Sequence, residues 1–269
     1  MSDFSKPNHK RHKKPAHVIE KERAKRAGSA ETLFLFGLHA VRDALMNPQR
    51  EKLRLMLTQN AALKLEDAIA ASGITPEIHD ARQFNPPIDR ESVHQGAVLE
   101  VKPLNWGSVS ELCAPRNDAP LVLLLDRVTD PHNVGAILRS AEVFGARAVI
   151  APHRHSAPET GALAKTASGA LERQPYLRVP NLAGAMNSLR EMGYTILGLD
   201  GEATDDLQTI AAKLPDGPIA LAMGSEGPGL RALTQDLCHH LVRIPAAAEF
   251  ASLNVSNATA VALYAIAQR

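Results

Sequence analysis

Apolar positions along the chain fall into two patterned regions separated by a stretch with little periodicity. Leu33-Phe34-Leu35-Phe36 is a short apolar run ended by Gly37, which predicts a strand and a turn. Leu38 to Met46 has helical character and stops before Pro48. Leu53 to Thr58 predicts a strand, Ala61 to Ala71 a helix stopped by Gly73, and Gly96 to Val101 another strand. Pro103, Gly107, Pro115 and Pro120 then punctuate residues 103–119, which predicts a linker. From Leu121 the alternation is regular. Leu121 to Leu125 is wholly apolar, the mark of a strand buried on both faces. A helix ended by Gly145 follows, then a strand over Ala148 to Ala151, helical material over Pro158 to Leu171, and a strand over Tyr176 to Val179. Asn181 caps a helix to Met192 with Gly193 as its stop. Strands at Tyr194 to Leu199, Ile219 to Met223 and Leu241 to Ile244 precede a last helix from about Asn254. This order predicts an α/β protein. Its larger part, residues 120–269, has a mostly parallel sheet flanked by helices, and a smaller α/β domain, residues 32–102, lies in front of it.

Composition narrows the classes. Hydrophobic residues at 45% and charged residues at 22% are ordinary for a soluble globular protein. Aromatics at 4% leave few rings for an RNA-stacking platform. Two cysteines, Cys113 and Cys238, exclude a disulfide framework and a multi-cysteine zinc site, and no metal is expected. The N-terminus is basic without an apolar core segment, so it does not read as a secretory signal. The uncharged stretch Phe250 to Gln268 is broken by Ser252, Asn254, Ser256, Asn257 and Thr259, so it predicts a buried helix with a polar entrance rather than a membrane span. The expected location is cytoplasmic. The net charge of +1 hides an asymmetry: residues 1–31 hold nine basic and four acidic residues, leaving 21 basic and 25 acidic for the rest. This tail predicts a disordered cationic arm. It is read either as a nucleic-acid tether, whose removal flattens the salt dependence of binding, or as a passive solubilising segment.

Ligands of open parallel sheets bind at the carboxyl ends of strands, and three such ends are unusual here. The first runs from Asp126 through Asn133 and Gly135 to Arg139. Asn133 is placed to cap the following helix. Val134, Ile137, Leu138, Ala141 and Phe144 form its apolar stripe, with Arg139 almost opposite. Arg139 is thus either a solvated arginine or a cation presented to phosphate or to a second subunit. The second end is Met223-Gly224-Ser225-Glu226-Gly227-Pro228-Gly229, whose glycines let a ligand approach the backbone. Its spacing is neither a dinucleotide fingerprint nor a P-loop. The third joins Ile244-Pro245 to Ser252-Leu253-Asn254-Val255-Ser256, where Ser252 or Asn254 opens the last helix. Those polar residues serve either as ordinary caps or as a site.

In this order the three segments resemble the SpoU (TrmH-like) family of RNA ribose 2′-O-methyltransferases, over residues 33–269. Residues 164–170, Ala-Lys-Thr-Ala-Ser-Gly-Ala, are similar to the subgroup that modifies a guanosine in large-subunit (23S) ribosomal RNA. Phe36-Gly37 and His94-Gln95-Gly96 resemble the family's substrate-binding domain. The resemblance implies a C-terminal trefoil knot, a homodimer joined through the C-terminal domain, and S-adenosylmethionine held near Met223, Gly224, Ile244, Ser252, Leu253 and Asn254. It implies catalytic roles for Asn133, Arg139, Glu226, Ser252 and Asn254. Ala246 and Asn257 depart from the residues common in the family. A transfer-RNA guanosine methyltransferase and a silent RNA-binding module of the same fold are the alternatives, and no membrane partner is expected.

Overall fold

The computed structural model describes residues 32–116, 118–246 and 253–268. The basic segment 1–31 and Ser252 lie outside the described residues. The described residues from Leu33 onward form one compact unit.

The front part is a four-stranded sheet of β1 (Leu33–Phe36), β2 (Lys52–Thr58), β3 (Pro76–His79) and β4 (Ala97–Val101), ordered β1-β4-β2-β3. β4 runs antiparallel to both neighbours, whereas β2 and β3 are parallel. One face is covered by α1 (Leu38–Met46), α2 (Gln59–Lys64) and α3 (Glu66–Ser72) through Val41, Leu45, Ala61 and Ala68. The start of α1 lacks a capping side chain of its own, and Gln95 Oε1 accepts from Leu38 N instead, at 3.1 Å.

The larger sheet has seven strands, and every neighbouring pair is parallel. They are β5 (Leu121–Asp126), β6 (Ala148–Pro152), β7 (Tyr176–Val179), β8 (Thr195–Leu199), β9 (Asp205–Asp206), β10 (Ile219–Gly224) and β11 (His240–Arg243), ordered β7-β6-β5-β10-β8-β11-β9. Central β5 is buried at every residue, as its unbroken apolar run predicts. Its alternate residues feed two layers. Leu123 and Leu125 meet α5 (Pro131–Val143), α6 (Gly161–Ala167) and the last helix, α10 (Val255–Ala267). Val122 and Leu124 meet α7 (Leu182–Glu191) and Tyr194. α8 (Leu207–Lys213) and α9 (Ala232–Leu237) complete the flanks.

Several local expectations change. The helix expected over Ala61 to Ala71 is two helices, with Leu65 at φ −112°, ψ 9° between them. Pro76–His79 is a strand that its short, proline-led sequence does not announce. The linker region contains α4 (Val109–Cys113), started by a Ser108/Glu111 capping box whose S-x-x-E pattern is a legible signal.

Packing is close around α6. A Cβ on Gly161 would lie 2.3 Å from Phe34 O of β1, and one on Gly135 of α5 would lie 2.7 Å from Thr166 Cβ. Arg50 adds a buried ionic tie. Its guanidinium bonds both Glu172 oxygens at 3.0 and 2.7 Å, Glu159 Oε1 at 2.9 Å and Lys102 O at 2.8 Å. Burial pushes the Glu159 carboxyl up from its ordinary range, against the pull of Arg50.

Candidate active site

β5 and β10 lie side by side with Asp126 opposite Gly224, so the loops that follow them share one edge of the sheet. The loop after β5 enters α5 through Asp130, whose side chain accepts from His132 N at 2.9 Å, with Pro131 in the first turn. Asp130 therefore caps this helix. Asn133, expected as the cap, stands one turn inside it with its amide free for another partner.

That partner is a cluster drawn from all three strand ends. Asn133 Nδ2 donates to Glu226 Oε1 at 3.1 Å. Asn254 Nδ2 donates to Asn133 Oδ1 at 2.9 Å and to Glu226 Oε1 at 2.6 Å. The amide orientations follow from the chain of donors. Asn254 caps α10, its Oδ1 accepting from Ser256 N at 2.9 Å and Ser256 Oγ at 2.6 Å. Its nitrogen must then face Asn133, which turns the Asn133 nitrogen to Glu226. One carboxylate oxygen thus receives two amides, and the other oxygen receives no hydrogen bond from the described residues. Glu226 and Asn254 are exposed, so the cluster faces solvent.

The glycine-rich loop has its shape imposed at both ends. A Cβ on Gly224 would lie 2.2 Å from Gly229 C, so only glycine permits the loop to fold back on itself. Gly229 N closes it onto Ser225 O at 3.0 Å. Beyond the loop, fully buried Asp126 accepts from Arg231 N at 3.0 Å, Arg231 Nε at 2.7 Å and Thr234 Oγ1 at 2.7 Å. Sequence reasoning assigned Asp126 no role. Its signal was an acid ending an otherwise apolar strand, a residue that is buried only when fully partnered.

The remaining expected residues are placed as follows. Arg139 is exposed on α5 and makes no hydrogen bond or ion pair among the described residues. It lies about 9 Å along the helix from Asn133 and is not part of the Asn133 cluster. Met223 is 2% exposed, so its side chain belongs to the core rather than to an open site. Ile244 is half-buried just past β11, and Leu253 is 53% exposed beside Asn254. Apolar Ile244 and Leu253 and an approachable backbone suit an adenosine-bearing ligand: nothing lies within 4 Å of where a Cβ would stand on Gly227 or Gly229. Both thiols are held toward their protonated form. Burial first, and then the charge of Asp126, pushes Cys238 up to about 12, and burial pushes Cys113 up to about 11. No group of three or more His, Cys, Asp or Glu among the described residues is arranged to hold a metal ion. No helix among them is long and apolar enough to cross a membrane.

Comparison with known proteins gives the family. Residues 120–264 match the profile described as SpoU rRNA Methylase family, and residues 34–107 match RNA 2′-O ribose methyltransferase substrate binding. The chain is 46% identical over 247 residues to the 23S rRNA (guanosine-2′-O-)-methyltransferase RlmB of Vibrio cholerae, covering 88% of this chain and 97% of that one. It is 40% identical over 242 residues to the protein of that name from Pseudomonas putida, covering 87% and 96%. Among solved structures, the SpoU methyltransferase AviRb from Streptomyces viridochromogenes in complex with AdoMet matches with a TM-score of 0.74 at 22% identity, over 92% of this chain and 93% of that one. That likeness speaks to the fold alone. With more than half of its length matched by one profile and relatives this similar end to end, the chain belongs to the SpoU rRNA methylase family.

Proposed function

We propose that this protein transfers a methyl group from S-adenosylmethionine to the ribose 2′-OH of a guanosine in 23S ribosomal RNA. The names of its relatives supply the substrate. The observation that carries the site is the meeting of Asn133, Glu226 and Asn254, residues 93 and 28 positions apart, at one edge of the sheet.

When bound, S-adenosylmethionine supplies an electrophilic methyl group on a sulfonium. The chain's own residues do the rest. The folded-back Gly224–Gly229 backbone with Ile244 and Leu253 holds the nucleoside, and Ser252 belongs to the same segment. Asn133 and Asn254 fix the Glu226 carboxylate, whose second oxygen is available to orient a ribose hydroxyl. Arg139 carries a guanidinium, which does not serve as a general base. Its role is therefore to hold a phosphate and stabilise negative charge developing on the 2′-oxygen, rather than to remove the proton.

Residues 120–269 form the methyl-transfer part in this reading, residues 32–102 the substrate-binding domain, and 103–119 the linker. β11 lies two strands from β10, yet Asn254 reaches the loop after β10. That return supports the trefoil knot. Val143 and Tyr264, 76% and 57% exposed on α5 and α10, support a homodimer through this part. A ribosomal substrate supports a cytoplasmic location. The test is incubation with labelled S-adenosylmethionine and separate pools of undermethylated 23S ribosomal RNA and transfer RNA. Label in the 23S pool at a guanosine 2′-O position is expected. Label in transfer RNA alone would overturn the substrate, and no S-adenosylmethionine binding would overturn the activity.

A further inference from the structure

The strand ends on the other side of β5 carry cations that the methyl-transfer cluster does not use. Arg127 follows β5, and His153-Arg154-His155 follows β6, all of them exposed. Neither Arg127 nor Arg154 has a hydrogen bond or an ion pair among the described residues. The nearest acids in sequence are committed elsewhere. Asp126 holds Arg231 and Thr234, Asp130 caps α5, and Glu159 pairs with buried Arg50. The body of the protein is net acidic, so these cations are not part of a general basic coat.

The two loops are built rather than loose. Ala157 N donates to Val128 O at 3.2 Å, tying the β6 loop to the β5 loop. Tyr176 OH donates to Ala157 O at 2.8 Å, and burial pushes that phenol up to about 12, which keeps it a donor. His153 N donates to Val179 O at 2.7 Å, and Arg178 Nη2 donates to His153 O. Arg127 and His155 are held at φ 63° and 58°, a left-handed backbone that side-chain-bearing residues adopt at a cost. In the sheet β5 stands between β6 and β10, each about 4.8 Å away. The cationic loops thus continue the edge that carries Asn133 and Glu226.

We propose that Arg127 and Arg154 form a phosphate track that grips the RNA backbone beside the methylated ribose. This rests on the RNA reading above and adds where the strand runs: from the glycine-rich loop, across the β5 end, to the β6 end. The arginines supply charge without base discrimination, which suits them to positioning and leaves sequence choice to other parts.

The test uses the full chain with Arg127→Gly and Arg154→Gln combined. Glycine tolerates φ 63°, so this variant is expected to melt no lower than wild type. Binding to a 23S ribosomal RNA fragment is measured over a range of salt concentrations, and S-adenosylmethionine affinity by calorimetry. Loss of two phosphate contacts reduces the salt slope by about 1.4 to 1.8 and weakens binding roughly 25- to 60-fold at 0.1 M salt. S-adenosylmethionine affinity stays as in wild type. Lys213→Gln, an exposed lysine on α8, serves as the control for net charge and is expected to change the slope little. Wild-type affinity and slope in the double variant, or an equal loss in the Lys213 control, would overturn the track while leaving the methyltransferase reading intact. Failure of the wild-type protein itself to bind or methylate the RNA would overturn that reading instead.

Discussion

Asp126 is the residue whose replacement most directly tests how the glycine-rich loop is held. Asp126→Ala removes the acceptor of three hydrogen bonds at 2.7 to 3.0 Å. Thr234 is 2% exposed, so its hydroxyl is left buried without its partner, and the Arg231 amide is left partly so. At about 1 to 3 kcal/mol for each stranded donor, the two together cost about 2 to 6 kcal/mol. The Arg231 side chain is 47% exposed and rehydrates, so its ion pair adds at most about 1 kcal/mol. Asp126→Asn keeps one acceptor in place and costs less, about 1 to 2 kcal/mol. Urea unfolding followed by circular dichroism reads these losses as shifts in midpoint at unchanged slope. Freed from Asp126, the loop must be ordered by the ligand. If only about 1.4 kcal/mol of the loss falls on binding, S-adenosylmethionine affinity drops tenfold. Cys238 offers an independent readout, because the charge of Asp126 contributes to its raised thiol. In Asp126→Asn that thiol titrates lower, and alkylation becomes faster at a given alkaline pH. A loss under about 1 kcal/mol in Asp126→Ala, with wild-type affinity for S-adenosylmethionine, would refute the reasoning.

Removing the Arg50 side chain leaves Glu172 and Glu159 buried without their cation, so Arg50→Ala is expected to lose about 3 to 5 kcal/mol in urea unfolding. The Glu159 carboxyl is raised on folding, so its contribution is fully present in acid and is lost as pH rises through its folded value. Glu159→Gln should therefore be at least as stable as wild type at pH 7, with the gap closing as pH falls, which paired melts at acid and neutral pH will check. Arg139→Ala should abolish methylation while sparing stability and S-adenosylmethionine binding, because the side chain is exposed and unpaired among the described residues. Near-normal turnover in single-turnover assays would remove Arg139 from the reaction.

Apart from Asp205–Asp206, the strands of the larger sheet were legible because burial forces apolar runs such as Leu121–Leu125. The front strand Pro76–His79 was not, since it is four residues long and gains its place by pairing with β2. Asn133 was read as able to cap its helix, and the structure gives that task to Asp130. Asp-Pro at residues 130–131 is the stronger start signal, and it frees Asn133 for the site. The convergence of Asn133, Glu226 and Asn254 has no local signature, because it depends on which strands become neighbours. The Arg50–Glu172 pair is hidden for the same reason, its partners lying 122 positions apart.

These long-range ties also bear on how a large substrate meets the site. α6 is pressed between β1 and α5, with Gly161 against one and Gly135 of the other against it, and neither contact leaves room for a methyl group. Arg50 lies just ahead of β2, which it joins to Glu159 before α6 and to Glu172 after it. A helix gripped on both flanks and tied at both ends does not act as a hinge, because any rotation must strip a buried ion pair or open a close-packed backbone contact. The distance from the front sheet to α5, which carries Asn133 and Arg139, is thereby fixed. In the proposed reading, in which RNA binds at the front sheet, its ribose is then presented at a set reach.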